Sequence, residues 1–125
     1  MTVDEALYQF YSGFGLRAME ENSVPTGNDR PLFPYLTYQV ATGDFDTTVA
    51  LSASLWYRSE SLVEINAKRN EISRAIGPGG VSLKVDNGRI WITRGTPFSS
   101  TMGDPEDALI KRMILNVSVS YLTTD

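Results

Sequence analysis

The sequence predicts an α+β fold, a mainly antiparallel β-sheet with two helices packed on one face. Two segments repeat apolar residues at helical spacing, and six others are rich in apolar residues or alternate apolar and polar side chains as strands do. The sum of these elements is an α+β domain. A chain of 125 residues is the size of one domain, so residues 1–125 are treated as a single unit.

The two helices are marked by apolar spacing and by the residues at their ends. The first is predicted over Val3–Ser12, where Thr2–Glu5 matches a capping box and glycine follows. The second is predicted over Ser61–Ile76, beginning with another capping box at Ser61–Glu64 and ending at a glycine-rich stop. Its apolar stripe is formed by Leu62, Ile65, Ile72 and Ile76.

Five strands are predicted, and a sixth segment, Leu16–Glu20, is predicted as a short strand or a bridge. The five are Tyr35–Thr42, Thr47–Arg58, Val81–Asp86, Arg89–Arg94 and Leu109–Leu122. Asn87-Gly88 predicts a tight type I′ hairpin that places Asp86 opposite Arg89. Two long loops are expected, Asn22–Pro34 and Thr96–Glu106, and long loops are candidate contact segments.

The strand Thr47–Arg58 is the most informative segment of the chain. One of its faces can enter a core, whereas the other carries Thr, Ala, Ser, Ser, Trp and Arg. A solvated sheet face normally carries long charged side chains. A smooth, weakly polar face suits another protein surface or the wall of a wide channel. This pattern favours assembly over catalysis.

The composition excludes several kinds of chemistry. The chain has no cysteine and no histidine, so thiolate or imidazole ligands, Cys or Ser nucleophiles activated by His, and disulfides are excluded. No enzyme activity, cofactor or metal is expected. The net charge of −4 disfavours tight binding to nucleic acid. No apolar run is long enough for a membrane span, and no secretory signal is expected at the N-terminus.

Two clusters allow a sharper interpretation beside an ordinary one. The carboxylates Asp104, Glu106 and Asp107 lack calcium-loop spacing, so loop solvation is favoured over metal binding. An aromatic and basic set could form a nucleic-acid platform, but core packing and subunit contact are favoured in an acidic chain. That set is Trp56, Trp91, Arg58, Arg89 and Arg94.

The order of several segments resembles the tail terminator, or tail-completion, proteins of long-tailed bacteriophages and prophages. The likeness begins with the N-terminal helix and Gly15–Glu21, continues through Val24-Pro25, Pro34–Tyr38 and Leu55–Ser59, and ends with Gly88–Phe98 and Ile110–Val117. It covers nearly the whole chain and rests on the combined order of these segments.

The resemblance implies a structural virion protein that forms a ring, usually of six copies. Such a ring caps the tail tube, ends its polymerisation and offers its other surface to the head-side connector. DNA would pass through the lumen without specific binding. The implied location is the head–tail junction of the virion, with host cytoplasm as the place of assembly.

The contacts of such a ring are expected at aromatic and charged residues of the sheet and loops. The candidates are Phe45, Trp56, Arg58, Trp91, Arg94, Phe98, Asp104, Glu106, Asp107 and Arg112. The three acidic residues are expected to meet Arg58 or Arg112 across the subunit contact. Alternatives are a head-side neck or head-completion protein and, from another class, a domain that binds a small ligand or a host protein.

Overall fold

The computed structural model describes residues 1–123 and confirms the α+β fold. Two α-helices, α1 and α2, accompany six strands, β1 to β6. In chain order these are α1 (Val3–Ser12), β1 (Arg17–Glu20), β2 (Tyr35–Tyr38), β3 (Thr47–Arg58), α2 (Val63–Ile76), β4 (Val81–Val85), β5 (Gly88–Gly103) and β6 (Ile110–Thr123). The segment between β1 and β2 contains two short 3₁₀ turns, Glu21–Ser23 and Gly27–Asp29.

The six strands form one sheet in the order β1-β2-β3-β6-β5-β4. Only β1 and β2 pair in parallel, and every other neighbouring pair is antiparallel. The centre is the β3–β6 pair, in which Thr47 lies opposite Tyr121 and Arg58 opposite Ile110. These long strands bury alternate residues, which fixes their register because a one-residue slip would expose every apolar side chain.

Both helices pack on the same face of the sheet. From α1, Leu7 and Tyr11 are buried, and Tyr11 stacks on Tyr38 with ring centroids 4.9 Å apart. From α2, Ile65, Ile72 and Ile76 are buried against the same core. Since α1 contacts both β1 and β4, which are the two edges of the sheet, the sheet curls around this helix and its other face is convex.

The ends of the first helix follow the prediction, whereas the start of the second does not. Thr2 and Glu5 form the expected capping box on α1. The N-cap of α2 is Leu62 and lacks a side-chain bond, because the Ser61 hydroxyl instead accepts from the backbone N–H of Val63 in a local turn. Leu62 is 39% exposed, so it does not belong to the buried stripe.

The β4–β5 hairpin has the predicted faces but a different register. Val85 lies opposite Gly88, and Lys84 opposite Arg89, so the predicted pairing of Asp86 with Arg89 is wrong. Asp86 is held outside the ladder, where its backbone N–H donates to the Met1 carbonyl at 2.7 Å. Gly88 has φ 153°, and a Cβ there would lie 2.0 Å from the Leu122 carbonyl oxygen, so only glycine allows this approach to β6.

The segment predicted as the loop Thr96–Glu106 is mostly strand. Strand β5 continues to Gly103 and pairs with β6 from Ser99 opposite Leu115 to Gly103 opposite Lys111, after an irregularity between Arg94 and Ser99. Pairing with β6 therefore overrides the weak strand propensity of this stretch. Strand β2 is shorter than predicted and ends at Tyr38, although the Gln39 N–H still donates to the Ser52 carbonyl.

Candidate functional site

The sheet face opposite the two helices has no helix over it in the described chain. We call this surface the open face. It is formed by the strand residues that alternate with the core: Arg17 and Met19; Tyr35 and Thr37; Thr48, Ala50, Ser52, Ser54, Trp56 and Arg58; Ser82 and Lys84; Arg89, Trp91, Thr93, Ser100 and Met102; Ile110, Arg112, Ile114, Asn116, Ser118, Ser120 and Leu122. The small polar side chains predicted on this face of β3 continue onto β6, whereas the neighbouring strands also carry long basic and aromatic side chains.

The middle of the open face is floored by small side chains. A shallow hollow of about 460 Å³, which we call the central hollow, lies over β3 and β6 beside the irregularity in β5. Its lining includes Ala50, Ser52, Gly95, Thr96, Asn116 and Ser118. Hydroxyl groups nearby satisfy one another, as in the 3.0 Å bond between Thr48 and Ser120. The hollow therefore offers a surface with little side-chain entropy to lose on contact.

One end of the open face is an ordered aromatic and cationic row. Trp56 stacks on Tyr35 with centroids 6.0 Å apart, and the guanidinium carbon of Arg112 lies 4.8 Å from the Trp56 centroid. The indole N–H donates to the Thr37 hydroxyl at 2.9 Å, and Arg112 Nε donates to the Ser54 hydroxyl at 3.1 Å. The Trp56 ring is thus held between Tyr35 and Arg112, and its indole N–H is held by Thr37. The row is therefore rigid.

The other end of the open face carries the second tryptophan. Trp91 is 43% exposed, and its indole N–H donates to the Gly79 carbonyl at 3.0 Å. Arg89 Nε donates to the Ser82 hydroxyl at 2.7 Å. This end therefore presents an exposed aromatic side chain with a fixed orientation beside a cation.

Charge is segregated onto the open face. All five of its charged residues are basic, whereas none of the fourteen acidic residues within the described range belongs to it. The chain as a whole has 11 Lys and Arg and 15 Asp and Glu, so the remaining surface is strongly acidic. The net charge does not reveal this segregation. The alternating positions along each strand do, because they place these basic residues on the same face of the sheet. The five are Arg17, Arg58, Lys84, Arg89 and Arg112.

Arg58 is partly neutralised by a neighbour within the same chain. Its Nε donates to the Asp107 carboxylate at 3.1 Å, and the backbone N–H of Leu109 donates to the same carboxylate at 2.9 Å. The Leu109 N–H first and then the Arg58 guanidinium lower the pKa of Asp107 below its usual value. Asp107 is thus engaged inside the subunit, contrary to its expected role across a contact with Arg58.

An open cleft of about 610 Å³ lies beside this ion pair. The segment before β2 supplies most of its wall, including Pro25, Leu32 and Phe33, and the pair Arg58–Asp107 lies at its edge. Phe33 contacts Tyr35 with centroids 5.3 Å apart, so the cleft continues into the aromatic row.

The other predicted contact residues are not strand residues of the open face, although the Asp107 carboxylate pairs with Arg58 at its edge. Arg94 points to the helix side, where its Nη1 donates to the Ser73 hydroxyl of α2 at 2.8 Å. Phe98 packs partly buried against the core. The carboxylate of Asp104 accepts from the N–H groups of Glu106 and Asp107, which closes a local turn. Only four of the ten candidates therefore share one surface, namely Trp56, Arg58, Trp91 and Arg112.

Phe45 belongs to a separate projecting turn, Gly43–Asp46, which we call the Phe45 turn. Phe45 is 61% exposed and stands between two aspartates. The Asp44 carbonyl accepts from the Thr47 N–H at 3.1 Å, and the Asp46 N–H donates to the Tyr121 carbonyl at 2.7 Å. Gly43 is required because a Cβ there would lie 2.5 Å from the Tyr121 ring. The turn is therefore held in one shape.

Within residues 1–123, no three side chains of the types that hold metals cluster together. None of the helices in that range is long and apolar enough to cross a membrane. The chain matches no family model, no curated protein and no solved structure.

Proposed function

We propose that this protein is a structural subunit of a ring that caps the tail tube of a long-tailed phage. In this proposal the ring ends tube polymerisation and presents a surface to the head-side connector, and DNA passes through its lumen. The proposal joins two independent lines of support, the order of segments in the sequence and the geometry of the open face.

The observation that carries the proposal is the broad and rigid open face, whose strand positions carry no acidic residue. At about twelve residues of 3.4 Å each and strands about 4.8 Å apart, the three long strands span about 600 Å². The three short strands add about 200 Å², so the face approaches the roughly 800 Å² that one partner contributes to a standard interface. A face of this size, with aromatic side chains at both ends, is suited to binding another protein surface.

The direct experiment mixes the purified protein with tail tubes assembled from the tube protein of the same phage or prophage. Negative-stain images should show a cap at one tip of the tubes, and the protein should sediment with them. A matched variant, Trp91→Ala, should reduce capping more than Arg74→Ala, which removes an exposed cation on α2. Tubes without caps at saturating protein would rule out the assignment.

The same mixing experiment distinguishes a tail terminator from the alternative, a head-side protein. A neck or head-completion protein would leave tube tips bare and bind the portal or connector instead. The geometry does not favour the small-ligand alternative, because the described cavities are open and shallow rather than enclosed by converging polar groups.

A further inference from the structure

We infer that the Phe45 turn of one copy docks in the central hollow on the open face of the next copy. This contact joins two different patches, so it is heterologous and generates a ring if the rotation between copies closes. The inference rests on the proposed function in one respect, that copies of this chain associate. It adds which two surfaces meet and why.

The Phe45 turn has the properties of the inserting partner. It projects an exposed phenyl ring from a backbone already held by Thr47 and Tyr121, so little ordering is needed on binding. Its aromatic side chain is flanked on both sides by carboxylates, Asp44 and Asp46. An exposed aromatic residue between two acids fits an uncharged hollow surrounded by cations.

The surroundings of the turn are also acidic. Asp4 lines a cavity with Ala41 and Thr42, just before the turn. Burial raises the pKa of Tyr38, and the nearby Tyr8, Glu20 and Asp4 raise it further. The first sixteen residues contain two acids and no Lys or Arg. This end of the molecule is therefore opposite in charge to the open face.

The central hollow has the properties of the receiving partner. Along β6 it lies between the positions of Arg112 and of Arg89, which pairs with Leu122. Arg112 leans toward it, because its bond to Ser54 reaches one row closer to the hollow. Arg89 instead bonds Ser82 on the edge strand β4, so it marks the far end of the hollow without leaning over it. An acidic turn seated there would be attracted from both sides, which fixes its orientation more than it adds affinity.

Nucleic acid is the competing occupant of a basic face. Stacking along a strand of bases needs successive free aromatic rings, whereas Trp56 already lies between Tyr35 and Arg112. Of the two tryptophans, Trp91 alone is strongly exposed. The centre of the face, where a backbone would cross, carries no charge. An acidic and aromatic protein turn therefore fits the arrangement better than a polyphosphate.

The test exploits the lack of cysteine in this chain. Thr42→Cys and Ala50→Cys variants are mixed, with a nitrogen isotope label on one, and oxidised with diamide. Thr42 is exposed and immediately precedes the Phe45 turn, so this substitution keeps the phenyl ring and both aspartates. Ala50 lines the hollow and is exposed, so its replacement should not disturb folding. Mass spectrometry then counts disulfides that join the two variants.

We expect the Thr42→Cys and Ala50→Cys pair to be trapped about tenfold faster than a control pair, because docking raises the local thiol concentration. The control combines Thr42→Cys with Ala75→Cys, which is also an exposed site, on α2. Salt should lower the yield of the first pair only. Ser118→Cys, on the same hollow, repeats the measurement if Ala50→Cys fails to fold.

Three outcomes would overturn the inference. The first is an equal trapping rate for the two pairs, and the second is a trapping rate for the first pair that does not change with salt. The third is that an added short DNA duplex shields the open face while no variant pair is trapped. If the protein does not cap tubes but the first pair is still trapped selectively, the proposed function is wrong and the contact between copies is still supported.

Discussion

The packing of α2 on the sheet allows one substitution to be predicted in detail. Ile72 is 1% exposed and lies on the buried stripe of α2 with Ile65 and Ile76. Ile72→Ala removes three buried carbon groups, which at about 0.8 kcal/mol each represent about 2.4 kcal/mol of transfer free energy. The cavity left behind raises the expected loss to about 2.5–4.5 kcal/mol.

The measurement is urea unfolding followed by tryptophan fluorescence. With a slope of about 1.5 kcal/mol/M, a loss of about 3 kcal/mol lowers the midpoint by about 2 M while the slope stays constant. Val63→Ala on the same helix is the control, because Val63 is 72% exposed and its truncation should cost less than about 0.5 kcal/mol. A loss below about 0.5 kcal/mol for Ile72→Ala would refute the packing described above.

Three further predictions test the cap, the glycine contact and the charges. Thr2→Ala should destabilise the protein by about 0.5–2 kcal/mol, since the capping box is lost, and an unchanged urea midpoint would contradict this. Gly88→Ala should lower the free energy of unfolding by at least about 1–3 kcal/mol, because its Cβ would collide with the Leu122 carbonyl oxygen. Gly79→Ala should be nearly neutral, because a Cβ there meets nothing within 4 Å. The pKa of Asp107 is lowered, so the stability that its carboxylate contributes is present above about pH 4 and is lost as the pH falls through the pKa of this group in the folded protein. The difference in free energy of unfolding between the natural protein and Asp107→Asn should therefore become smaller in acid. Glu106→Gln should show no such change.

Weak contact with DNA is expected in spite of the basic face. Five cations bound to phosphates would give a salt slope no steeper than about −4.5, and the affinity at physiological salt should be weaker than about 1 μM. Fluorescence anisotropy with a labelled duplex measures both. Submicromolar binding with a steep slope would favour a DNA-binding module instead.

Local signals predicted the elements whose ends are fixed locally. Helix α1 and strand β3 begin and end at the predicted residues, because a capping box and strict alternation define them. The second half of β5 was missed, since its glycine, proline and serine content indicates a loop and only pairing with β6 makes it a strand. The hairpin register was missed because Met1, 85 positions away, holds Asp86 outside the ladder.

The candidate surface was predicted in part for a similar reason. Alternation along β3 indicated an unusual face at Trp56 and Arg58, and the sheet order then brought Trp91 and Arg112 onto it. Arg94 lies on the helix side, and Phe98 lies within the strand irregularity and packs against the core, so neither joins that face. The absence of acidic residues from the open face depends on the pairing of all six strands, which overall charge does not reveal.

The length of tail tubes assembled in the presence of this protein tests the central claim most directly. Tube protein is polymerised with increasing amounts of the chain, and tube lengths are measured in electron micrographs. A terminating cap predicts that growth stops at capped tips, so the mean length falls as the ratio of cap to tube protein rises, and Phe45→Ala shifts this effect to higher ratios. Tubes whose lengths are the same at every ratio would contradict the account.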